Sequence, residues 1–250
     1  MAGWVVVIGA SAGIGLATAR RFAEGGDTVL LVSRREARLR AAAAAINADY
    51  VGHAEYQALD MCQPEAAEAL SAYVAHSGRE VRAIVCCAGA APENDRATLA
   101  QIAEEWEATF RINLLTTVLP VEALLPRMET GGSIVLYSSI AAYRGLIIAA
   151  SGAYGAMKAA THSLAHTWAR RLGERDINVN VIAPGFIDDT EIFGDRMNDA
   201  YYEAAVRETL LKRPGYPRDT AGLGYFLCSP EGHYITSQII QMNGGAHHGA

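Results

Sequence analysis

The stretch WVVVIGASAGIG, residues 4–15, decides the fold. A valine-rich apolar run ends at Ile8, and the glycine spacing Gly9-x-x-x-Gly13-x-Gly15 follows at once. The run predicts a buried strand, and the small residues predict a tight turn into a helix. Such a turn brings backbone N–H groups and a helix N-terminus close to a pyrophosphate. Because this glycine spacing is common by chance, its position directly after a strand gives it weight.

Apolar runs and amphipathic stretches alternate along the rest of the chain. We predict strands at 4–8, 28–32, 54–59, 83–86, 133–137, 178–182 and 238–242. We predict helices at about 13–25, 36–48, 64–77, 99–127, 152–173, 197–212 and 217–228. No Pro-, Gly- or Ser-rich linker and no repeat divides the 250 residues. The sequence therefore predicts an α/β fold, with a single doubly wound Rossmann-type domain at 1–250 and a parallel sheet of about seven strands flanked by helices.

Composition argues against two classes of partner. The net charge of −6 and the pI near 5.6 disfavour nucleic acid or an anionic membrane surface as the main partner. We find no signal-like segment and no apolar stretch long enough to cross a bilayer, and we expect a cytoplasmic protein. The four cysteines lack the spacing of metal ligands, so we expect reduced thiols and no metal site.

The end of the second predicted strand indicates which dinucleotide binds at the glycine loop. An acidic residue there would accept the ribose 2′-hydroxyl of NAD, whereas a basic residue would accommodate the 2′-phosphate of NADP. Ser33, Arg34 and Arg35 stand there, with no acid. Guanidinium groups match phosphate geometry, so the sequence favours NADP(H) over NAD(H). The alternative is that both arginines belong to a solvated helix start.

Tyr154 and Lys158 stand four residues apart in a predicted helix and so share a face. An ammonium beside a phenol favours the phenolate and lowers its pKa from about 10, which makes Tyr154 a candidate general acid/base. Of the 21 basic residues only Lys158 and Lys212 are lysines, so a compact ammonium stands where a guanidinium is the usual choice. A chance spacing, in a chain with 11 tyrosines, is the alternative.

The order of these and further landmarks resembles that of the short-chain dehydrogenases/reductases along essentially the whole chain. The landmarks are the glycine loop, Asp60, Ala88-Gly89, Asn113, Ser138-Ser139, Tyr154 with Lys158, Pro184-Gly185 and Asn243-Gly244-Gly245. Their joint order is far more specific than any single motif. The resemblance implies hydride transfer between a nicotinamide and an alcohol or carbonyl carbon.

The resemblance also implies catalytic roles for four side chains. Tyr154 would protonate the carbonyl oxygen during reduction, and Lys158 would support that step and bind the nicotinamide ribose. Ser139 would hydrogen-bond the reacting oxygen, with Ser138 left open as the alternative serine. Asn113 would hold a water between Lys158 and solvent. Taken alone, Asn113 would be a helix kink or an exposed residue, and the two serines a strand-end turn.

By the same resemblance, residues at the carboxyl ends of the strands would hold the cofactor. They are Gly9, Ser11, Gly13, Ile14, Gly15, Ser33, Arg34, Arg35, Asp60, Met61, Cys87, Ala88, Gly89, Tyr154, Lys158, Pro184, Gly185, Ile187 and Thr190. Asp60 and Met61 match positions that meet the adenine. Ile187 and Thr190 match the segment that contacts the nicotinamide amide.

Two segments are longer than is usual in the family. The segment 139–154 has about two extra residues and includes an apolar stretch at 146–150, which would form a pocket wall or buried packing at a helix entry. One residue is inserted after Gly185, which shifts the alignment of Thr190. The segment at about 186–213 resembles the mobile substrate lid of the family.

Three functions remain open from the sequence. The first is an NADP(H)-dependent ketoreductase of a small or medium ketone, including a biosynthetic one. The second is a 3-oxoacyl-[acyl-carrier-protein] reductase, which the acidic turn near Glu129 disfavours because an acidic carrier needs a basic entrance. The third is a non-catalytic dinucleotide sensor or scaffold, since a fold does not fix a function. The resemblance further implies a homotetramer or homodimer.

Overall fold

The computed structural model describes residues 3–50, 53–91, 98–145 and 152–248. The strands in these ranges are β1 Trp4–Ile8, β2 Thr28–Ser33, β3 Ala54–Ala58, β4 Val81–Cys86, β5 Met128–Tyr137, β6 Asn178–Pro184 and β7 Ile239–Met242. They form a parallel seven-stranded sheet in the order β3-β2-β1-β4-β5-β6-β7. The predicted α/β, doubly wound fold is confirmed.

Helices cover both faces of this sheet. They are α1 Gly13–Glu24, α2 Glu36–Asp49, α3 Pro64–His76, α4 Leu99–Phe110, α5 Thr116–Leu124, α6 Ala141–Arg144, α7 Ala153–Leu172, α8 Asp199–Glu208 and α9 Pro217–Leu227. Side chains of α3, α5 and α7 join the core on one face, and those of α1, α2 and α9 join the core on the other. This double cover explains why β1 and β6 are buried throughout. β1 is apolar along its whole length, whereas β6 also buries the polar side chains of Asn178 and Asn180.

The order of the strands changes direction at β1, because β2 and β3 lie on one side of it and β4 to β7 lie on the other. β2 and β4 both pair with β1 in parallel, with Ile8 opposite Val32 on one side and opposite Cys86 on the other. The loops that leave β1 and β4 therefore diverge to opposite faces of the sheet. A crevice opens between them at the carboxyl ends of the strands, where ligands of doubly wound folds bind.

The helix predicted at 99–127 is interrupted. A π-helical turn at Arg111–Leu115 separates α4 from α5, and a 3₁₀ turn at Leu125–Arg127 follows α5. Side chains in this region compete for the helix carbonyls: Asn113 Nδ2 donates to Thr109 O at 3.1 Å, and Thr116 Oγ1 donates to Ile112 O at 2.6 Å. Such back-bonding bends helices, and π turns are frequent at functional sites.

The stretch Leu99–Arg127 corrects one expectation from the sequence, because by length and composition alone it could cross a membrane. In the structure α5 packs against α3, and α4 packs against α7. Thr109 and Asn113 are buried within this packing. The stretch is thus partly buried against neighbouring helices, while Leu99, Trp106 and Phe110 stay exposed.

Three further elements differ from the prediction, and one of them is β5, which begins at Met128 rather than at 133. The helix predicted at 197–212 is shorter, because α8 ends at Glu208. Beyond that end the backbone N–H groups of Leu210 and Leu211 donate to Gly244 O, which diverts the chain toward the C-terminal segment. The short α6 was not predicted; Ser139 Oγ accepts from the backbone N–H of Ala141 at its start.

Glycines at two helical positions give opposite predictions for stability. A Cβ on Gly15 would lie 2.3 Å from Gly9 O, whereas a Cβ on the exposed Gly222 of α9 would meet nothing within 4 Å. We expect Gly15→Ala to lower the free energy of unfolding by about 1–3 kcal/mol through overpacking. We expect Gly222→Ala to raise it by about 0.5–1 kcal/mol, because alanine favours a helix interior. Urea unfolding of both variants checks the pair, and equal effects would contradict the tight contact at Gly15.

Candidate active site

A cavity of about 1080 Å³ lies at the carboxyl ends of the strands. Its lining includes every residue that the sequence assigned to the cofactor, from Gly9 on the first loop to Thr190 after β6. Tyr154, Lys158, Ser138 and Ser139 line it as well. The structure therefore brings these residues together around one space, although their roles stay predictions.

The glycine loop forms the floor of the cavity because backbone approaches backbone there. A Cβ on Gly9, which has φ +88°, would lie 2.7 Å from the backbone nitrogen of Ala88. A Cβ on Gly13, with φ +51°, would meet Thr190 at 3.6 Å. Among the described residues, no side chain caps the N-terminus of α1. The first turn of α1 therefore keeps N–H groups available for an anion, which fits the pyrophosphate of a dinucleotide.

The end of β2 forms one side of this cavity. Ser33 Oγ lies 3.1 Å from Ser11 Oγ, and this hydrogen bond fastens the glycine loop to the strand end. Arg34 and Arg35 are exposed at the cavity edge. Next to it, after the neighbouring strand β3, Asp60 Oδ1 accepts from the backbone N–H of Cys62 at 3.1 Å.

Lys158 is the central charge of the site. The side chain is only 4% exposed, and its Nζ donates to Tyr137 O at 3.0 Å. The same Nζ lies 5.8 Å from the centre of the Tyr154 ring, one turn earlier on α7. Burial lowers the pKa of Lys158 from 10.5 to about 8. The ammonium is thus present at neutral pH, but it is held in an environment that disfavours it.

Ser138 and Ser139 face different partners. Ser138 Oγ lies 2.8 Å from Lys158 O and 2.8 Å from His162 Nε2. Because a carbonyl oxygen only accepts, the single hydroxyl proton of Ser138 goes to Lys158 O, and His162 must donate its Nε2–H to Ser138. Ser138 thus ties the end of β5 to α7, whereas Ser139 Oγ accepts from the backbone N–H of Ala141 and so leaves its own proton for donation into the cavity. This arrangement favours Ser139 for contact with a ligand.

Asn113 lies behind the cavity wall rather than on it. It is fully buried, and its Nδ2 donates to Ala90 O at 2.7 Å while its Oδ1 accepts from the N–H of Ala90 at 3.2 Å. A Cβ on Gly89 would lie 2.7 Å from Asn113 Oδ1 and 2.9 Å from Lys158 Nζ. The π turn therefore aims Asn113 at the loop after β4 and places it beside Lys158. Its water-holding role stays a prediction.

Tyr154 lines the cavity beside α6. Its ring packs with Ala141 of α6, and Ala91 and Ile192 pack against this pair. Tyr201, Ala204 and Ala205 of α8 line the same cavity. The apolar stretch 146–150 that the sequence placed in this wall lies outside the described residues.

Several residues of the site were not found from the sequence. His162 lies one turn beyond Lys158, a spacing that could have revealed it. Three acid–guanidinium pairs near the cavity edge join distant residues: Glu191 pairs with Arg35 and with Arg38, and Glu208 pairs with Arg144. No local pattern indicates such pairs, because their partners meet only through the fold.

Comparison with known proteins gives matches over nearly the whole chain. A family model described as Enoyl-(Acyl carrier protein) reductase matches residues 9–247. Human dehydrogenase/reductase SDR family member 2, mitochondrial, is 33% identical over 246 residues, covering 96% of this chain and 84% of that protein.

Solved structures are similar over the same extent. A short-chain dehydrogenase/reductase from Brucella melitensis, described as glucose/ribitol dehydrogenase, has a TM-score of 0.89 at 29% identity, covering 99% of this chain and 97% of the other. L-sorbose reductase from Gluconobacter frateurii, solved with NADPH and L-sorbose, has a TM-score of 0.87 at 28% identity, covering 98% and 96%.

The burial of Lys158 predicts a pH-dependent stability. Because its pKa falls from 10.5 to about 8 on folding, the unfolded state binds more protons between these values, and wild-type stability rises with pH there. We expect Lys158→Met to raise the free energy of unfolding by about 1–3 kcal/mol at pH 7. The gain should shrink between pH 8 and 10.5. Urea unfolding across pH measures it, and a gain that does not change with pH would contradict the buried-charge explanation.

Proposed function

The chain belongs to the short-chain dehydrogenase/reductase family of oxidoreductases, and we propose that it is an NADP(H)-dependent ketoreductase of a small or medium ketone. One observation carries the proposal: the buried ammonium of Lys158 lies beside Tyr154 on the wall of a cavity that begins at a glycine loop. A protein that only binds a dinucleotide has no need of that pair, which disfavours a sensor or scaffold.

The proposed cofactor rests on the chemistry around the glycine loop. The uncapped N-terminus of α1 offers N–H donors for a pyrophosphate, and Arg34 and Arg35 offer guanidinium groups for a 2′-phosphate. The structurally similar L-sorbose reductase was solved with NADPH. When bound, the nicotinamide supplies the hydride.

The chain's own residues would handle the proton and the position of the carbonyl. Tyr154 donates its phenolic proton to the carbonyl oxygen, and the ammonium of Lys158 stabilises the phenolate that remains. Ser139, on the cavity lining, donates a hydrogen bond to the same oxygen. Ser138, which accepts from His162, donates to the carbonyl oxygen of Lys158 and so helps to fix the place of its ammonium.

The mostly apolar residues around Tyr154 support a small or medium ketone as the substrate. Ala91, Ala141 and Ile192 pack with Tyr154, and Tyr201, Ala204 and Ala205 of α8 line the same cavity. We propose that the segment at about 186–213, which includes α8, closes over the substrate as a lid. The cytoplasmic location and the homotetramer or homodimer stay predictions.

Tyr154→Phe tests the proposed acid. It removes the phenolic oxygen but keeps the ring among Ala141 and its neighbours, so NADPH should still bind while reduction falls by at least about 100-fold. We would follow NADPH oxidation against ketones, diketones, quinones and 3-oxoacyl thioesters. Tyr143→Phe, a second tyrosine outside the cavity lining, is the matched control. Undiminished reduction by Tyr154→Phe would refute the proposal, and selective turnover of carrier-bound thioesters would move the assignment to a 3-oxoacyl reductase.

Arg34→Asp tests the preference for NADP(H). The carboxylate would repel a 2′-phosphate, so the Kd of NADPH should rise by about tenfold or more, while that of NADH stays similar or falls. Arg40→Asp is the control, because it makes the same charge change on α2 outside the cavity lining. Calorimetric titration measures both constants. Equal weakening of NADPH and NADH by Arg34→Asp would overturn the assignment.

A further inference from the structure

The chain crosses the cleft between β6 and α8. It leaves β6 at Pro184, and Thr190 then lies over the glycine loop, with its Cγ2 3.6 Å from the position of a Cβ on Gly13. The next residue, Glu191, reaches the side of the cleft formed by the end of β2 and the start of α2. The segment 185–191 thus begins where the nicotinamide is proposed to bind and ends where the 2′-phosphate is proposed to bind.

Glu191 binds the arginines there with both carboxylate oxygens. Its Oε2 lies 2.8 Å from Arg35 Nη2, and its Oε1 accepts from Arg38 Nη1. Hydrogen bonds from Arg35, followed by those from Arg38, lower the pKa of Glu191, so the carboxylate is ionised at neutral pH. The geometry is that of an anion held by two guanidinium groups, which is also how arginines hold a phosphate.

The same carboxylate is within reach of the cofactor site. Ser33, Arg34, Arg35 and Glu191 all line the cavity. A 2′-phosphate held by Arg35 would bring a group of charge near −2 beside Glu191. A phosphate and a carboxylate beside the same guanidinium repel each other, and the guanidinium of Arg35 cannot keep the same hydrogen bonds to both anions.

We propose that Glu191 is a specificity-determining residue that competes with the 2′-phosphate of the cofactor for Arg35. This inference rests on the proposed use of NADP(H). NADPH must displace Glu191 from Arg35 to gain that guanidinium, while Arg38 retains the carboxylate. NADH has no 2′-phosphate and leaves both pairs intact. Glu191 therefore narrows the affinity difference between the two cofactors below what the arginines alone would give.

The size of the effect follows from the exposure of the pair. The side chains of Arg35 and Glu191 are 50% and 56% exposed, so water screens the interaction. Exposed ion pairs change an equilibrium constant by about fivefold at most. We therefore expect Glu191→Gln to lower the Kd of NADPH by about two- to fivefold and to leave the Kd of NADH unchanged.

Calorimetric titration with NADPH, NADH and 2′,5′-ADP tests the inference without any substrate. Glu203→Gln is the matched control, because it removes the same charge from α8, where Glu203 pairs with Arg207 away from the cavity. The inference predicts tighter NADPH and 2′,5′-ADP in Glu191→Gln alone. Melting curves of both variants confirm that each is folded.

Two other results overturn the inference. Unchanged binding in Glu191→Gln shows that the carboxylate does not compete, and weaker binding shows that it instead closes over the bound cofactor. Both results differ from the one that would contradict the proposed use of NADP(H). In that case Arg34→Asp leaves the ratio of the Kd values of NADPH and NADH unchanged. Higher salt should reduce the difference between wild type and Glu191→Gln, because screening weakens the exposed pairs.

Discussion

Backbone-to-backbone contact at the centre of the sheet is the constraint on which the cleft depends. The loops after β1 and β4 start in contact, where Gly9 faces Ala88, before they diverge, and α1 turns back so closely that Gly15 faces Gly9 O. Side chains at these positions would separate the two loops or push α1 away from the strand. Without them, the N-terminus of α1 opens directly into the cavity, and the loop after β4 brings Gly89 against Lys158 and Asn113.

The reacting end of the cleft follows from a second close approach. Because Gly89 has no side chain, the ammonium of Lys158 fits between the loop after β4 and Tyr137 O. The position is unfavourable for a charge, as the pKa of about 8 shows. Ser138 and Thr161 both donate to the carbonyl oxygen of Lys158, so the backbone of this residue is held from two sides. Stability is thus given up where the proposed chemistry needs a cation beside Tyr154.

The sequence predicted the sheet and most helices because hydrophobic periodicity and glycine placement are local signals. The sequence also predicted which residues line the cavity, because parallel strands bring their carboxyl ends to one edge of the sheet. The departures arise from contacts between distant parts of the chain. The end of α8 depends on Gly244, and the direction of Asn113 depends on Ala90 across the π turn. The choice between Ser138 and Ser139 depends on His162, whose partner is 24 residues away in sequence.

The cleft is assembled from separate stretches of the chain, and this division bears on how such a protein changes its cofactor over evolution. The end of β2 and the start of α2 carry Arg34, Arg35 and Arg38, far from the stretch that carries Tyr154 and Lys158. If the arginines acted alone, exchange of the β2–α2 unit between relatives would transfer a cofactor preference. The ion pairs with Glu191 show that this unit is not independent. Arginines transplanted with β2–α2 would pair with the residue that the recipient carries at the position of Glu191, and that residue would change their affinity for a 2′-phosphate. On the proposed assignment, the cofactor preference of this protein is therefore carried by two separated parts of the chain, which would have to change together.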